Sequence, residues 1–103
     1  MRGKEIYRRK VVRIINNITL FTLKFYTMEL NQFVENFAAQ FDDTDAGVFT
    51  PSTNFRELDE WSSLIALSII AMVDEEYDVA LKGDDIRSAT TIEDLFNTVK
   101  SKL

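Results

Sequence analysis

The sequence predicts a small all-α domain in which three main helices and one short helix form a bundle, with a long loop between the first and second helices. Two apolar segments and one helix-start motif support this prediction. The chain of 103 residues contains three glycines and one proline. It is long enough for one modest core and too short for a second domain of comparable size.

The first predicted helix begins near Met28 and carries a single apolar stripe. Its apolar residues recur at the i, i+3, i+4, i+7 spacing of an amphipathic helix. They are Leu30, Phe33, Val34, Phe37, Ala38 and Phe41. Three aspartates, a threonine and a glycine between residues 42 and 47 are expected to end this helix.

A loop is predicted from there to about Trp61. It is too long to be a simple turn, and four apolar side chains are expected to anchor it to the core: Val48, Phe49, Phe55 and Leu58. Because long anchored loops often carry function, this segment is a candidate for the neighbourhood of a site.

The second helix is predicted over the apolar run 64–73 and the acids that follow it, with Trp61 or Ser62 near its N-cap. Periodicity alone does not separate a helix from a buried strand here, but the length of the run and its Leu, Ala and Met content favour a helix. We expect Ala66, Ile69, Ile70, Val73 and Tyr77 to face inward. That assignment leaves Leu64, Ile65, Leu67, Ala71 and Met72 for the outer and flanking surface.

The last two helices are short. Gly83 and the Asp84–Asp85 pair mark a break, after which residues 84–89 allow one or two turns. Thr90 and Glu93 have the spacing of a capping box and predict the start of the last helix. Its apolar side is expected to contain Ile92, Leu95, Phe96 and Val99.

Composition excludes several kinds of chemistry. The chain has no cysteine and no histidine, which removes disulfides, Cys/His zinc sites and catalysis by a Ser-His-Asp triad. The acids from Asp42 onward fail as a calcium loop because Ala46 and Thr53 occupy two ligand positions. The loop acids Glu57, Asp59 and Glu60 lack any sign of burial that would make them an acid/base pair. We therefore expect neither an enzyme nor a metal site.

The charge divides the chain at Met28. Residues 1–27 have a net charge of +6, and residues 28–103 have a net charge of −11. We expect residues 28–103 to be the domain and residues 1–27 to be a basic extension. This extension is interpreted as sequence upstream of the true start, with a disordered arm or a short native helix or strand as alternatives. So acidic a domain disfavours nucleic acid and favours basic protein partners, and no apolar run approaches the length of a membrane span.

The segment 58–64 places Ser62 and Ser63 at the end of the acidic loop and the start of an apolar helix. A phosphate ester there would lie at the positive end of the helix dipole, beside free N–H groups. The simpler alternative is that one of these serines is only a helix cap.

From Met28 onward the chain resembles the acyl carrier protein family, which has four helices, three long and one short. The family's Asp-Ser-Leu marker at the start of the second helix is matched by Ser62-Ser63-Leu64. Further matches, in the family's order, are residues 75–78 at the end of that helix, Val79 and Leu81 after it, and Thr90-Thr91-Ile92 at the last helix.

The resemblance implies that Ser63 receives 4′-phosphopantetheine from coenzyme A through a phosphopantetheinyl transferase. The thiol of that group would then carry acyl groups as thioesters to acyl-loading and acyl-transfer enzymes of a fatty-acid, polyketide or other specialised pathway. It also implies a cytoplasmic protein, and we expect a monomer. The alternatives are a peptidyl or aminoacyl carrier and an unmodified interaction module with the carrier fold.

Two departures from the family concern partner recognition. Ser62 stands where the family usually has an aspartate, so modification is expected to need a matched transferase or help from Asp59 and Glu60. Ile65 and Ser68 stand where general fatty-acid carriers have acids, and acids return only at Asp74 and Glu75. We therefore expect partners to contact this helix largely through apolar side chains, including Leu64, Ile65 and Met72, and the carrier to serve a specialised pathway. The competing interpretation is that the loop or residues 1–27 cover this face.

Overall fold

The computed structural model of the chain describes Tyr26 and residues 29–103. Within these residues four helices form the bundle: α1 at residues 29–38, α2 at Ser63–Tyr77, α3 at Gly83–Ser88 and α4 at Ile92–Ser101. Two 3₁₀ turns, Ala46–Val48 and Phe55–Glu57, interrupt the long loop between α1 and α2. The predicted all-α fold, with its one short helix and its long loop, is therefore confirmed.

The core consists of the apolar faces of the helices and of apolar residues outside the four helices, among which are Phe41, Phe49 and Phe55. All six residues of the stripe predicted for α1 pack in the core or against it. Phe33 contacts Phe96 of α4 with 5.4 Å between ring centroids, and Phe37 contacts Phe55 of the loop at 5.5 Å. Aromatic pairs at these separations add to the free energy that burial alone supplies.

Helix α1 ends earlier than predicted. Its α-helical hydrogen bonds end near Ala39, and Phe41 donates its N–H to the carbonyl of Ala38 at 3.0 Å. The last turn therefore tightens from i→i+4 to i→i+3 bonding, which is common at helix ends. Phe41 still lies in the core although it has left the helix.

Three of the four predicted loop anchors are confirmed. Phe49 and Phe55 are buried, and Leu58 packs against the core. The prediction for Val48 is wrong, since this side chain is 44% exposed. Phe49, the next residue, takes the inward position against Phe37 and Phe41 and leaves Val48 on the outside.

Helix α4 begins one residue later than the predicted capping box. Thr91 is the N-cap, and its side chain and that of Asp94 form the box reciprocally. The prediction of Thr90 and Glu93 is therefore wrong in register. The helix begins at Ile92. In this register the Ile92 side chain lies in the core, where it is fully buried. Hydrogen bonds from the N–H groups of Thr91 and Thr90 hold the pKa of Asp94 below its ordinary value.

The predicted domain boundary at Met28 lies at the edge of the described residues. Tyr26 contacts Phe96 edge-on at 5.4 Å and donates its hydroxyl to Asn97 at 2.6 Å. Lys100 pairs with Glu29 at 2.5 Å nearby. The predictions for residues 1–25, 27 and 28 lie outside the described residues. No helix among the described residues is long and apolar enough to cross a membrane.

Helix α2 ends on a left-handed residue that is not glycine. Asp78 has φ 54° and ψ 40°, and its N–H bonds to the carbonyl of Asp74 at 3.0 Å. A residue with a Cβ is strained in this conformation, and a carboxylate at the negative end of a helix is unfavourable.

Replacing Asp78 with glycine should stabilise the fold by about 1 kcal/mol, because it removes both the Cβ strain and the charge at the helix end. The measurement is the free energy of unfolding from denaturant titration. Asp78→Asn is the matched control, since it removes only the charge and should gain a few tenths of a kcal/mol at most (~0.3). A glycine variant no more stable than the asparagine variant would contradict the role given to strain.

Candidate functional site: a serine at the start of the second helix

Ser62 and Ser63 have different positions at the start of α2. Ser62 is the N-cap, with extended backbone angles, and its Oγ accepts a hydrogen bond from the N–H of Ile65 at 3.2 Å. Ser63 is the first helical residue, and its side chain is exposed. The predicted N-cap at Ser62 is confirmed. Because Ser62 caps the helix, the Ser63 hydroxyl is left for other uses.

The helix start offers positive potential around Ser63. The N–H groups of the first residues of a helix have no carbonyl partner within it. At α2 the Ser62 hydroxyl satisfies the N–H of Ile65, while Ser63 and Leu64 are both exposed. With the helix dipole, these groups favour an anion bound to the Ser63 oxygen.

Trp61 fixes the chain just before the two serines. Its indole lies 4.9 Å from the ring of Phe55 and 6.4 Å from that of Phe41, measured between centroids. The backbone N–H of Trp61 donates to the carbonyl of Leu58 at 3.0 Å. Phe55 and Phe41 are themselves buried, so the entry into α2 is held on the core by aromatic contacts.

Glu60 joins the end of the loop to its beginning. Its carboxylate accepts hydrogen bonds from the N–H of Asp42 at 2.8 Å, the N–H of Asp43 at 3.0 Å and the hydroxyl of Thr44 at 2.7 Å. These bonds, led by that from Thr44, hold the pKa of Glu60 below its ordinary value. The predicted help of Glu60 to a partner therefore concerns a carboxylate that is already engaged within the domain, while Asp59 beside it is exposed.

Arg56 connects the loop to α3. Its Nη1 donates to the carbonyls of Ile86 at 3.2 Å and Arg87 at 2.9 Å, and its Nη2 donates to the carbonyl of Ala89. The guanidinium carbon Cζ of Arg56 also lies over the ring of Phe55, at 5.4 Å from the ring centroid.

A groove of about 450 Å³ opens beside Ser63 between α2 and α3. Trp61, Ala66, Leu67 and Ile70 form its apolar side, and Gly83, Ile86 and Arg87 of α3 lie opposite. Both serines and Arg56 lie at its wall. The groove can therefore accept a chain that is largely apolar and is attached at the Ser63 oxygen.

The outer surface of α2 differs in part from the prediction. Leu64 is 73% and Leu67 is 62% exposed, and Ala71 is exposed as well. These three residues are spaced i, i+3 and i+7, and we call them the outer row. Among the residues predicted to face inward, Ile69 and Val73 are fully buried, and Ala66, Ile70 and Tyr77 pack against the core.

The prediction of Met72 as an outer contact residue is wrong, since its side chain is only 6% exposed. The inward stripe runs through Ile69, Met72 and Val73, at i, i+3 and i+4, and this turns Met72 into the core. Ile65 lies four residues before Ile69 and packs against the core with half of its surface. Ser68 is half-buried, and Asp74 and Glu75 are exposed.

The acids after α1 have local roles. Asp45 caps the first 3₁₀ turn, its side chain accepting from the N–H of Gly47 at 3.2 Å. In the part of the chain that the structure describes, no three carboxylates, or other side chains of metal-ligand type, are grouped to hold a metal ion.

The sequence did not predict the roles of two residues that shape this site. Arg56 and Trp61 both line the groove beside Ser63. Arg56 is the only basic residue between Met28 and Lys82. A single cation in a long acidic stretch was the available signal, but its partners are backbone carbonyls, which no side-chain pattern reveals.

A comparison with protein families identifies a match over most of the described residues. The sequence model of the family described as "Phosphopantetheine attachment site" matches residues 32–99, which is more than half of the chain and contains α2, α3, Ser62 and Ser63. No curated protein matches the chain. No solved structure matches it either.

Replacing Glu60 with glutamine should reduce the acid dependence of stability. A carboxyl whose folded pKa lies below its ordinary value of 4.5 stabilises the fold above that pH, and this contribution disappears as the pH falls through the folded value. The parent chain should therefore lose more stability than Glu60→Gln between about pH 5 and pH 3. The measurement is the free energy of unfolding at a series of pH values.

Asp59→Asn is the matched control, because it removes the same charge from the neighbouring exposed residue. The acid dependence should change more in Glu60→Gln than in Asp59→Asn, because the Glu60 carboxylate accepts the hydrogen bonds from residues 42–44. Equal slopes for Glu60→Gln and the parent would show that the bonds from residues 42–44 contribute nothing to stability.

Proposed function

The chain belongs to the phosphopantetheine attachment site family, and we propose that Ser63 is the residue that holds 4′-phosphopantetheine. The family's carrier domains take this group covalently and interact with a phosphopantetheinyl transferase and with enzymes that handle acyl groups. The observation that carries the proposal is the exposed Ser63 hydroxyl at the first position of α2, next to a serine that already caps the helix.

The residues around Ser63 fit the group. Its phosphate would lie at the N-terminus of α2, where unpaired N–H groups and the helix dipole favour negative charge. Its largely neutral chain fits the apolar side of the groove between α2 and α3, formed by Trp61, Ala66 and Ile70. When bound, the group supplies a thiol that holds an acyl group as a thioester, and this chain has no cysteine of its own.

Attachment requires little chemistry from this chain. The Ser63 oxygen forms a bond to the phosphorus that coenzyme A provides, its proton passes to a base of the transferase, and adenosine 3′,5′-bisphosphate leaves. The role of α2 is to present the oxygen in the open with its neighbours fixed. Trp61 and Ser62 do this by packing and by capping, so the transferase meets a formed site.

Ser62 keeps one role of the family's usual aspartate and loses another. Serine and aspartate are comparable N-caps, so the start of α2 is preserved. The negative charge before the attachment serine is missing, and Asp59 is the nearest exposed acid that can replace it. We infer that the chain is modified by a transferase matched to this surface.

The partner surface that we propose is the outer row with its flanking residues. The outer row begins next to Ser63 and consists of Leu64, Leu67 and Ala71. Its exposed apolar side chains form the kind of surface that commonly contacts another protein. Ile65 and Ser68 flank the row, and Asp74 and Glu75 lie at its far end. Met72 is excluded from this surface by its burial.

An apolar partner surface favours a specialised carrier over a general one. We propose a non-catalytic, monomeric carrier in the cytoplasm that serves a fatty-acid, polyketide or aminoacyl pathway, whose enzymes contact α2 through apolar side chains. In this proposal the partner enzymes choose among these cargoes.

One observation favours a second candidate, an unmodified interaction module. Ser62 removes the charge that transferases of the family use, while the outer row remains available to a protein partner. The two candidates differ in a single measurable property, the covalent state of Ser63.

Incubation with coenzyme A and a phosphopantetheinyl transferase of broad substrate range should increase the intact mass by one phosphopantetheine group. Ser63→Ala should abolish the gain, because it removes the accepting oxygen. The measurement is intact-mass spectrometry of the full chain.

Ser62→Ala is the matched control at the neighbouring position. It should still gain the group, although the loss of its cap should cost about 1 kcal/mol of stability. A gain that persists in Ser63→Ala would place the attachment elsewhere. No gain with this transferase or with one encoded beside the chain's gene would favour the unmodified module.

Leu67→Glu should lower kcat/KM for modification by about tenfold or more, because it places an unpaired charge in an apolar contact that the partner must desolvate. The substitution keeps a good helix former at an exposed position, so the free energy of unfolding should change little. Glu76→Gln, at the exposed far end of α2, is the control and should leave kcat/KM unchanged. Unaltered kcat/KM in Leu67→Glu would exclude the outer row from the transferase interface.

A further inference from the structure

Arg56 makes contacts that differ from those of every other described cation. Three carbonyl oxygens, of Ile86, Arg87 and Ala89, accept hydrogen bonds from its guanidinium. The other described basic side chains with polar partners make ion pairs, such as Arg87 with Asp84 and Lys100 with Glu29. Arg56 therefore acts on the backbone of another element.

The three carbonyls lie where α3 ends. A helix leaves its last carbonyls without partners, and in α3 these make up most of a helix that is only six residues long. Within the helix, the N–H of Ala89 reaches the carbonyl of Ile86 at 3.3 Å. The guanidinium adds a second donor to the Ile86 carbonyl and supplies donors to the carbonyls of Arg87 and Ala89, because its planar fork reaches several oxygens at once.

The loop segment that carries Arg56 is itself held in place by the core and by α4. Its neighbour Phe55 is fully buried, and its own N–H donates to the Asn54 side chain at 3.2 Å. The same stretch of loop is bonded to α4, since Ile92 and Glu93 donate to the carbonyls of Thr53 and Pro51 at 3.3 and 2.9 Å. The guanidinium is therefore a strut between a rigid loop and a short helix.

The hydrogen bonds between Arg56 and α3 lie at the wall of the groove beside Ser63. Arg56 lies on the loop side, and Gly83, Ile86 and Arg87 of α3 form the wall that faces α2. A shift of α3 would change the width of the groove without moving Ser63 or the cap at Ser62.

We propose that Arg56 is a positioning residue: by holding the C-terminal carbonyls of α3, it sets the distance between α3 and α2 at the site where the group on Ser63 and its transferase must fit. This inference rests on the proposed function of Ser63. The contact of Arg56 with α3 does not depend on that function and is tested separately.

The first measurement is amide hydrogen exchange of the full, unmodified chain. Arg56→Ala should speed exchange of residues 83–89 by about tenfold, the effect of losing a charge-assisted hydrogen bond, and leave α2 unchanged. Arg87→Ala is the matched control, since it removes an arginine from the same groove whose guanidinium, among the described residues, bonds within α3 to Asp84. It should leave exchange of residues 83–89 within about twofold of the parent.

The second measurement is the kinetics of modification by the transferase. Arg56→Ala should raise KM by about tenfold and change kcat little, because the Ser63 oxygen and the cap at Ser62 stay in place. Arg56→Lys keeps the charge but lacks the fork, so it should restore only part of the KM. Equal KM values for Arg56→Ala and Arg87→Ala would overturn the proposal, because they would reduce Arg56 to a charge at the groove.

Exchange that accelerates in α1, α2 and α4 as much as in α3 would also overturn it, since it would show a general loss of stability. If the parent chain gains no mass at Ser63, the attachment proposal fails and the effect on KM fails with it. The exchange comparison of Arg56→Ala with Arg87→Ala would still decide whether Arg56 holds α3.

Discussion

The packing of Phe55 and Trp61 on Phe37 of α1 and on Phe41, which follows α1, is the interaction on which the site depends. Phe55 is fully buried against Phe37, and Trp61 lies on Phe55 and Phe41. A loop of this length has a large conformational entropy when unfolded, and these aromatic contacts offset that cost by holding both of its ends on the core. Because the serines follow Trp61 directly, the position of the second helix relative to the first is set by these rings.

Polar groups complete what the aromatic packing begins. Glu60, near the end of the loop, accepts three hydrogen bonds from residues 42–44 at its start. Arg56, in the middle of the loop, donates hydrogen bonds to carbonyls of α3. Both side chains bond to backbone groups that would otherwise face solvent. The loop is therefore a structural part of the domain, and it shapes both the helix start at Ser63 and the groove beside it.

The sequence predicts the helices well because their apolar residues have one clear period. The stripe of α1 identifies Phe33 and Phe37 as core residues, and the serine pair locates the start of α2. The surface of α2 was harder to predict. Its run is apolar on every side, so a stripe through Met72 fits as well as one that leaves Met72 outside, and only the packing of the other helices selects between them. Arg56 could not be assigned either, since backbone carbonyls leave no trace in a side-chain pattern.

The single tryptophan of the chain has an optical consequence. Trp61 lies two residues before Ser63 and forms part of the groove wall, so indole emission from the whole chain arises beside the candidate attachment point. A chain that enters or leaves the groove would change the polarity around that indole without any label being added. Emission excited at the red edge of the absorption band would thus separate a group lying in the groove from one extended into water.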